Sequence, residues 1–310
     1  MRHLPFVAAT LRSASLIFLT FFLFTPLAPA QVKRGDIHVE VNLVEILASV
    51  SDADGHPLAD LPQSAFSIAE EGVPQKIVRF EPQTDRPLDL ALMVDSSMST
   101  TKDLKFEEES AAHFISQVVR PGDSLSLFQF SDAVIQLSEY TDKISDLESA
   151  THRIFPGAGT AMYDAVVLGS RSLARRPTGR RRAIVLVTDA GETTSSSKYE
   201  DAQRAAVSSG ILLYSVVIRP VKNENGRNTA GEHALITITD YAGGDFFILD
   251  SLDQLQEIFD RINRELRTQY LIGYYPNPSP PPGSLRHISL QVAGAATVRY
   301  RKEYFTPRAH

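Results

Sequence analysis

The sequence predicts a doubly wound α/β body, a mostly parallel sheet covered on both faces, inserted in a small β-sandwich built from both ends of the chain. Three observations predict it. Between Leu88 and Arg267, short apolar strand patterns alternate with amphipathic helix patterns. Before Leu88 and after Arg267, the pattern is β throughout. Each flank alone has too little sheet to bury an apolar face, so the two flanks are expected to pair.

The first thirty residues stand apart. Arg2, His3 and Arg12 give a basic start, Ser13 to Phe24 an apolar run, and Ala28-Pro29-Ala30 the small residues of a cleavage site. The run is shorter than the ~20 apolar residues that span a bilayer. Residues 1–30 therefore read as a secretory signal peptide cleaved near Ala30, and the mature protein as secreted or periplasmic, in the cell envelope. No later segment is apolar enough to span. Cleavage removes two arginines and no acid, taking the formal charge from −6 to −8. That balance favours solubility and argues against a nucleic-acid partner. With no cysteine in the chain, disulfides, thiolate metal sites and a cysteine nucleophile are excluded.

Residues 31–87 form the N-terminal β segment. Ile37, Val39, Val41 and Leu43 alternate, and Val44, Ile46, Ala48 and Val50 continue with the phase slipped by one, as a bulge or kink would produce. Asp52-Ala53-Asp54-Gly55 reads as a turn. It lacks the spacing and closing glutamate of an EF-hand calcium loop. Strands are expected around 66–69 and 76–81, on either side of Glu71-Gly72.

Residues 88–267 carry the α/β pattern. A strand over 88–94 ends in Asp95, and a helix is expected over 102–119 on Phe106, Ala111, Phe114, Ile115 and Val118. Strands over 124–130 and 134–139 precede a helix over 161–173. A strand over 183–188 then ends in Asp189. Helices over 199–208, 233–241 and 252–266 alternate with strands over 211–218 and 245–249. The C-terminal β segment, 268–310, holds strands over 269–275, 286–292 and 297–304, with a proline-rich loop after the first. The cluster Arg175, Arg176, Arg180, Arg181 and Arg182 reads as a complement to a helix end plus a solvated loop.

Chemistry converges on three pieces: Asp95-Ser96-Ser97-Met98-Ser99 after one apolar strand, Thr160 after Gly157-Ala158-Gly159, and Asp189 after another strand. In an open α/β sheet, ligands sit outside the carboxyl ends of strands where the strand order reverses. Two strands ending in aspartate would bring both carboxylates to that edge. Hydroxyls with carboxylates make an all-oxygen site suited to Mg²⁺, with Mn²⁺ or Ca²⁺ possible. The same hydroxyls could instead cap helices, and Asp189 could simply end a strand in a turn. Ser96, Met98, Gly159, Glu192 and Thr193 are expected at the rim.

Asp95-x-Ser97-x-Ser99 with Thr160 and Asp189 resembles the metal-ion-dependent adhesion site (MIDAS) of von Willebrand factor type A (VWA) domains. The resemblance covers about 88–267. It implies a Rossmann-like fold in which Ser97, Ser99 and Thr160 bind metal through their hydroxyls, and Asp95 and Asp189 directly or through water. A partner's carboxylate would complete the shell. The flanks at 66–72, 270–276 and 298–302 resemble bacterial secreted VWFA-related proteins.

The expected function is thus a metal-dependent protein-binding or adhesion module recognising an Asp or Glu of a protein ligand. No catalytic residue is assigned and no enzyme is expected. Gly157-Ala158-Gly159 starts like a dinucleotide fingerprint, but Met162 stands at its third glycine, so no nucleotide is expected. No G-x-S-x-G, H-E-x-x-H or Walker A motif occurs. Two readings stay open beside it: a divalent-metal-dependent hydrolase, and a structural scaffold with a rarely occupied site. The hydrolase would need a base near the metal, where Tyr163 and Asp164 are the nearest protic groups.

Overall fold

The computed structural model describes residues 43–97, 104–219 and 228–308, with side chains in the first helix from 108 onward. The predicted signal segment, the phase slip before Val44, and Met98 and Ser99 lie outside the described residues.

Leu88–Asp95 (β5) is buried along its whole length, as a central parallel strand must be. Its side chains alternate between two cores. Leu88, Leu90, Leu92 and Val94 pack with Phe114 and Ile115 of Leu104–Val118 (α1) and with Phe259 and Ile262 of Leu255–Arg267 (α6). Ala91 and Met93 pack with Ala165 and Val166 of Met162–Ala174 (α3) and with Leu235 and Ile238 of Thr229–Ala242 (α5). The period of two in the strand thus decides which helices cover which face.

The remaining strands of this sheet are Ser124–Phe130 (β6), Val134–Gln136 (β7), Arg181–Thr188 (β8), Leu212–Ile218 (β9) and Phe246–Leu249 (β10), in the order β10-β9-β8-β5-β6-β7. All neighbours are parallel except β7, an antiparallel edge strand on β6. The order reverses at β5, which has β6 on one side and β8 on the other. This is where a ligand crevice opens.

The flanks build two further sheets. Val44–Ser51 (β1) lies between Tyr270–Tyr274 (β11) and Thr297–Tyr300 (β13), with Ile77–Glu81 (β4) beyond β11. Phe66–Glu70 (β2) pairs with Val73–Gln75 (β3) and with Leu285–Val292 (β12), which also carries Glu303–Phe305 (β14). Val44, Ile46 and Ala48 meet Phe66, Ile68, Ile288 and Leu290 in one core between the sheets. N- and C-terminal strands are therefore joined by pairing. Glu70, 1% exposed, ties four of them together: Arg286 Nε donates to its Oε1 at 2.8 Å, and the phenols of Tyr274 and Tyr304 donate to Oε2 at 2.8 and 2.9 Å.

Several elements differ from expectation. The strand expected over 297–304 is two strands in different sheets, because the chain turns away at Arg301 and Lys302 O accepts from Ile288. The strand expected over 134–139 stops at Gln136, where the Leu137 and Ser138 amides both turn to Leu127 O. A short helix, Ile144–Thr151 (α2), fills a stretch left without an element. Arg181 is not in a solvated loop. It is 4% exposed in β8 and donates to Arg86 O, Leu266 O and Gln269 Oε1.

Candidate functional site

The two aspartates come from strands that meet at the reversal of order. Val94 lies opposite Val187 in the parallel ladder, so Asp95 and Asp189 leave neighbouring strands at the same edge. Asp95 is 1% exposed. Its Oδ1 accepts from Ser97 N at 2.9 Å, and its Oδ2 from Thr188 Oγ1 at 2.6 Å. Burial pushes its carboxyl up to about 6, and the charge of Asp189 adds to this while bonds from Thr188 and Ser97 oppose it. Asp95 therefore feels the charge of Asp189 from a site shielded from water.

The loops around them are locked. Ser96 donates its amide to Phe130 O at 2.8 Å and accepts from Gly157 N at 2.9 Å, while Ser97 and Gly157 form a parallel bridge. A Cβ at Gly157 would come within 2.1 Å of Ser131 Oγ, and one at Gly159 within 2.5 Å of Thr194 Cγ2. The two glycines serve close loop packing.

Thr160 is buried and wired to the segment after β8. Thr160 N donates to Thr193 Oγ1 at 2.9 Å, and Thr160 O accepts from Thr193 N at 2.9 Å. Asp189 Oδ1 accepts from Gly191 N at 2.8 Å. A Cβ on Gly191 would lie 2.9 Å from Asp189 Oδ1 and 3.4 Å from Thr160 Oγ1. The missing side chain thus leaves a small space faced by one carboxylate oxygen, one hydroxyl oxygen and, at 3.6 Å, the side-chain amide nitrogen of Asn228. Two carboxylates, one of them raised by burial, with serine and threonine hydroxyls form an all-oxygen donor set that fits a hard divalent cation.

Among the predicted positions, the structure brings Asp95, Ser96, Ser97, Thr160 and Asp189 to one edge, all buried. Ser99 and Met98 lie outside the described residues. Of the rim residues, Glu192 has both carboxylate oxygens occupied: Oε2 by Tyr163 N at 3.0 Å and Ser195 Oγ at 2.8 Å, Oε1 by Ser195 N at 2.9 Å. Asp164 accepts from the amides of Ser196 and Ser197 at 2.8 and 2.9 Å. Both acids therefore join the start of α3 to the loop after β8. Thr188 was missed in the sequence; its signal was a hydroxyl residue directly before the strand-end aspartate.

Asp52, Asp54 and His56, on the turn after β1, place ligand atoms within 4.8 Å of one another. Asp52 Oδ1 already accepts the amides of Asp54 and His56 at 3.0 and 2.8 Å, which closes the turn.

The family model for the von Willebrand factor type A domain matches residues 89–261, more than half of the chain. The chain belongs to the von Willebrand factor type A family. Its VWA fold is shared with a von Willebrand factor type A protein from Catenulispora acidiphila, at 11% identity and a TM-score of 0.50 over 86% of this chain and 74% of that one. A mutant of the PilB minor pilin from Streptococcus sanguinis matches at 13% identity and a TM-score of 0.50, over 60% of this chain and 62% of the pilin. The vWF domain of the type V pili tip protein Mfa5 from Porphyromonas gingivalis matches at 14% identity and a TM-score of 0.47, over 58% of this chain and 95% of that one. At such identities the likeness is one of VWA fold alone. No curated protein matches the chain. Among the described residues, no helix is long and apolar enough to cross a membrane.

Proposed function

We propose that this VWA protein is an exported, metal-dependent binding module that recognises an acidic side chain of a protein partner. The observation that carries the reading is the convergence of Asp95, Ser97, Thr160 and Asp189 at the reversal of strand order, with Asp189 and Thr160 facing the space left by Gly191. On this reading Asp95, Ser97, Ser99, Thr160 and Asp189 hold the ion, which is Mg²⁺ or a similar hard cation. Residues 88–267 are the binding domain, 31–87 and 268–310 its mount, and the mature chain begins after a signal peptide cleaved near Ala30.

The bound cation would supply positive charge and an open coordination position for a partner carboxylate. The protein's part is to fix the donors beforehand. Thr188 and Ser97 orient Asp95, Gly191 N orients Asp189, and Thr193 holds the backbone of Thr160. The five residues include only two carboxylates, so the ion's charge is at most balanced, which favours an anionic oxygen from outside. Asp164 and Glu192 are engaged in holding loops. A general base for hydrolysis is therefore not provided by these groups.

The test is capture of partners from an envelope fraction with Mg²⁺ or with EDTA, using wild type and Thr160→Ala side by side. Binding should vanish in EDTA, and Thr160→Ala should weaken the partner more than the metal, because both charges remain. Equal binding in all four conditions would mean that the metal edge is not the binding surface.

A further inference from the structure

The opposite edge of the same sheet carries a second feature. Around the amino ends of β5, β8 and β9, a small, half-open cleft of about 110 Å³ is lined by Arg86, Arg180, Arg181, Arg182, Arg301 and Glu45, with apolar walls from β1 and β9. Two of the arginines are neutralised. Arg86 forks onto Glu45 with two bonds of 2.8 Å, and Arg180 Nε donates to the buried Asp89 at 2.8 Å.

The other three form no ion pair among the described residues. Arg181 is satisfied by Arg86 O, Leu266 O and Gln269 Oε1. Arg182 reaches the carbonyls of Ser209, Arg176 and Pro177, while its Nε is shielded from water and meets no acceptor. Arg301 gives one bond, from Nη2 to Glu45 O at 3.1 Å, and stands 5.8 Å from the Tyr304 ring centre. Its Nη1 lies against Gly210, where a Cβ would come within 2.9 Å, so the glycine leaves room for the guanidinium. Burial lowers the pKa of all three, of Arg181 to about 10. Three cations held by carbonyls alone in a partly dry cleft favour an anion beside them. The planar forks match an oxyanion, and the excess of charge suits a dianion over a carboxylate.

We propose that this cleft binds a small dianionic oxyanion of the phosphate class, held by Arg182 and Arg301. The site is separate from the metal edge: β5 enters at the cleft near Leu88 and reaches the metal edge only at Asp95. Binding is therefore independent of the metal.

The experiment uses the mature chain in EDTA, titrated calorimetrically with inorganic phosphate and, separately, with acetate at the same ionic strength. One saturable phosphate site is expected, with acetate at least about tenfold weaker. Arg301→Gln should lose about tenfold or more in phosphate affinity, the scale of one charge-assisted hydrogen bond. A response that does not saturate, as general salting-out by phosphate gives, or equal affinity in Arg301→Gln, overturns the proposal. If that variant does not fold, arginine labelling of wild type by phenylglyoxal decides. Phosphate should protect Arg182 and Arg301, and unchanged labelling of both overturns the site.

Discussion

Thr188 donates its hydroxyl hydrogen to Asp95 Oδ2 across 2.6 Å, from β8 to β5, the strand beside it where the sheet changes direction. The same Thr188 oxygen accepts from Ala190 N at 3.0 Å, so one side chain aligns Asp95 and the turn that carries Asp189. Thr188→Val keeps the shape and removes both bonds. Leaving a buried acceptor short of a donor costs about 1–3 kcal/mol. The variant should unfold at lower denaturant and bind Mg²⁺ more weakly, without losing it. Wild-type values in both measurements would show that the bond has no such role.

Asp95→Ala should abolish Mg²⁺ binding and spare the fold. The strand core of alternating Leu90, Leu92 and Val94 against Ala91 and Met93 does not depend on the carboxylate. A charge disfavoured by burial is also removed, which offsets part of the lost hydrogen bonding. Calorimetric titration should give no heat of binding while circular dichroism keeps its native spectrum. Undiminished binding in this variant would remove Asp95 from the ligand set.

Much of this was legible in the sequence. The run from Leu88 to Val94 is apolar but for Asp89, which marked a strand, and the strand-end aspartates marked the edge to search. Less legible were features that depend on distant contacts. The division of 297–304 into β13 and β14 follows from pairing with β1 on one side and β12 on the other, which no local pattern announces. Pro74 hid β3, an edge strand that tolerates a missing donor. The arginine cluster carried no sign that Arg181 would be buried, because its acceptors are carbonyls and an amide from residues 86, 266 and 269.

Arg286→Met should be strongly destabilising. It leaves Glu70 buried with two phenol donors and no cation. Breaking one partner of a buried pair costs about 3–5 kcal/mol. Tyr274→Phe removes a single bond to the same carboxylate and should cost about 1–3 kcal/mol. Chemical denaturation that ranks the two variants equally would mean that the ion pair adds nothing beyond a hydrogen bond.

Acid should loosen the joint between β1 and the entry to β5. The hydrogen bonds from Arg86, against the opposing effect of burial, hold Glu45 below its ordinary 4.5, helped by the charges of Arg86 and Arg79. A lowered folded pKa contributes stability that is present above 4.5 and lost as pH falls through the folded value. Wild type should therefore lose more stability than Glu45→Gln between about pH 5 and pH 3. Parallel pH profiles of the two unfolding midpoints would contradict this.

The pairing of β1 with both β11 and β13 also sets how the protein would carry tension. Residues before the α/β body are clamped to residues after it, Val44 to Tyr274 and Ala48 to Tyr300. A pull between Leu43 and Arg308 therefore loads these ladders and the β12–β14 pairing first, and the six-stranded sheet stays off the load path until they part. Val44 and Tyr300 are the leading ends of antiparallel neighbours, so the β1–β13 ladder opens from one end, a pair at a time, and yields at low force. The body that holds Asp95 and Asp189 would keep its shape while its mount gives way.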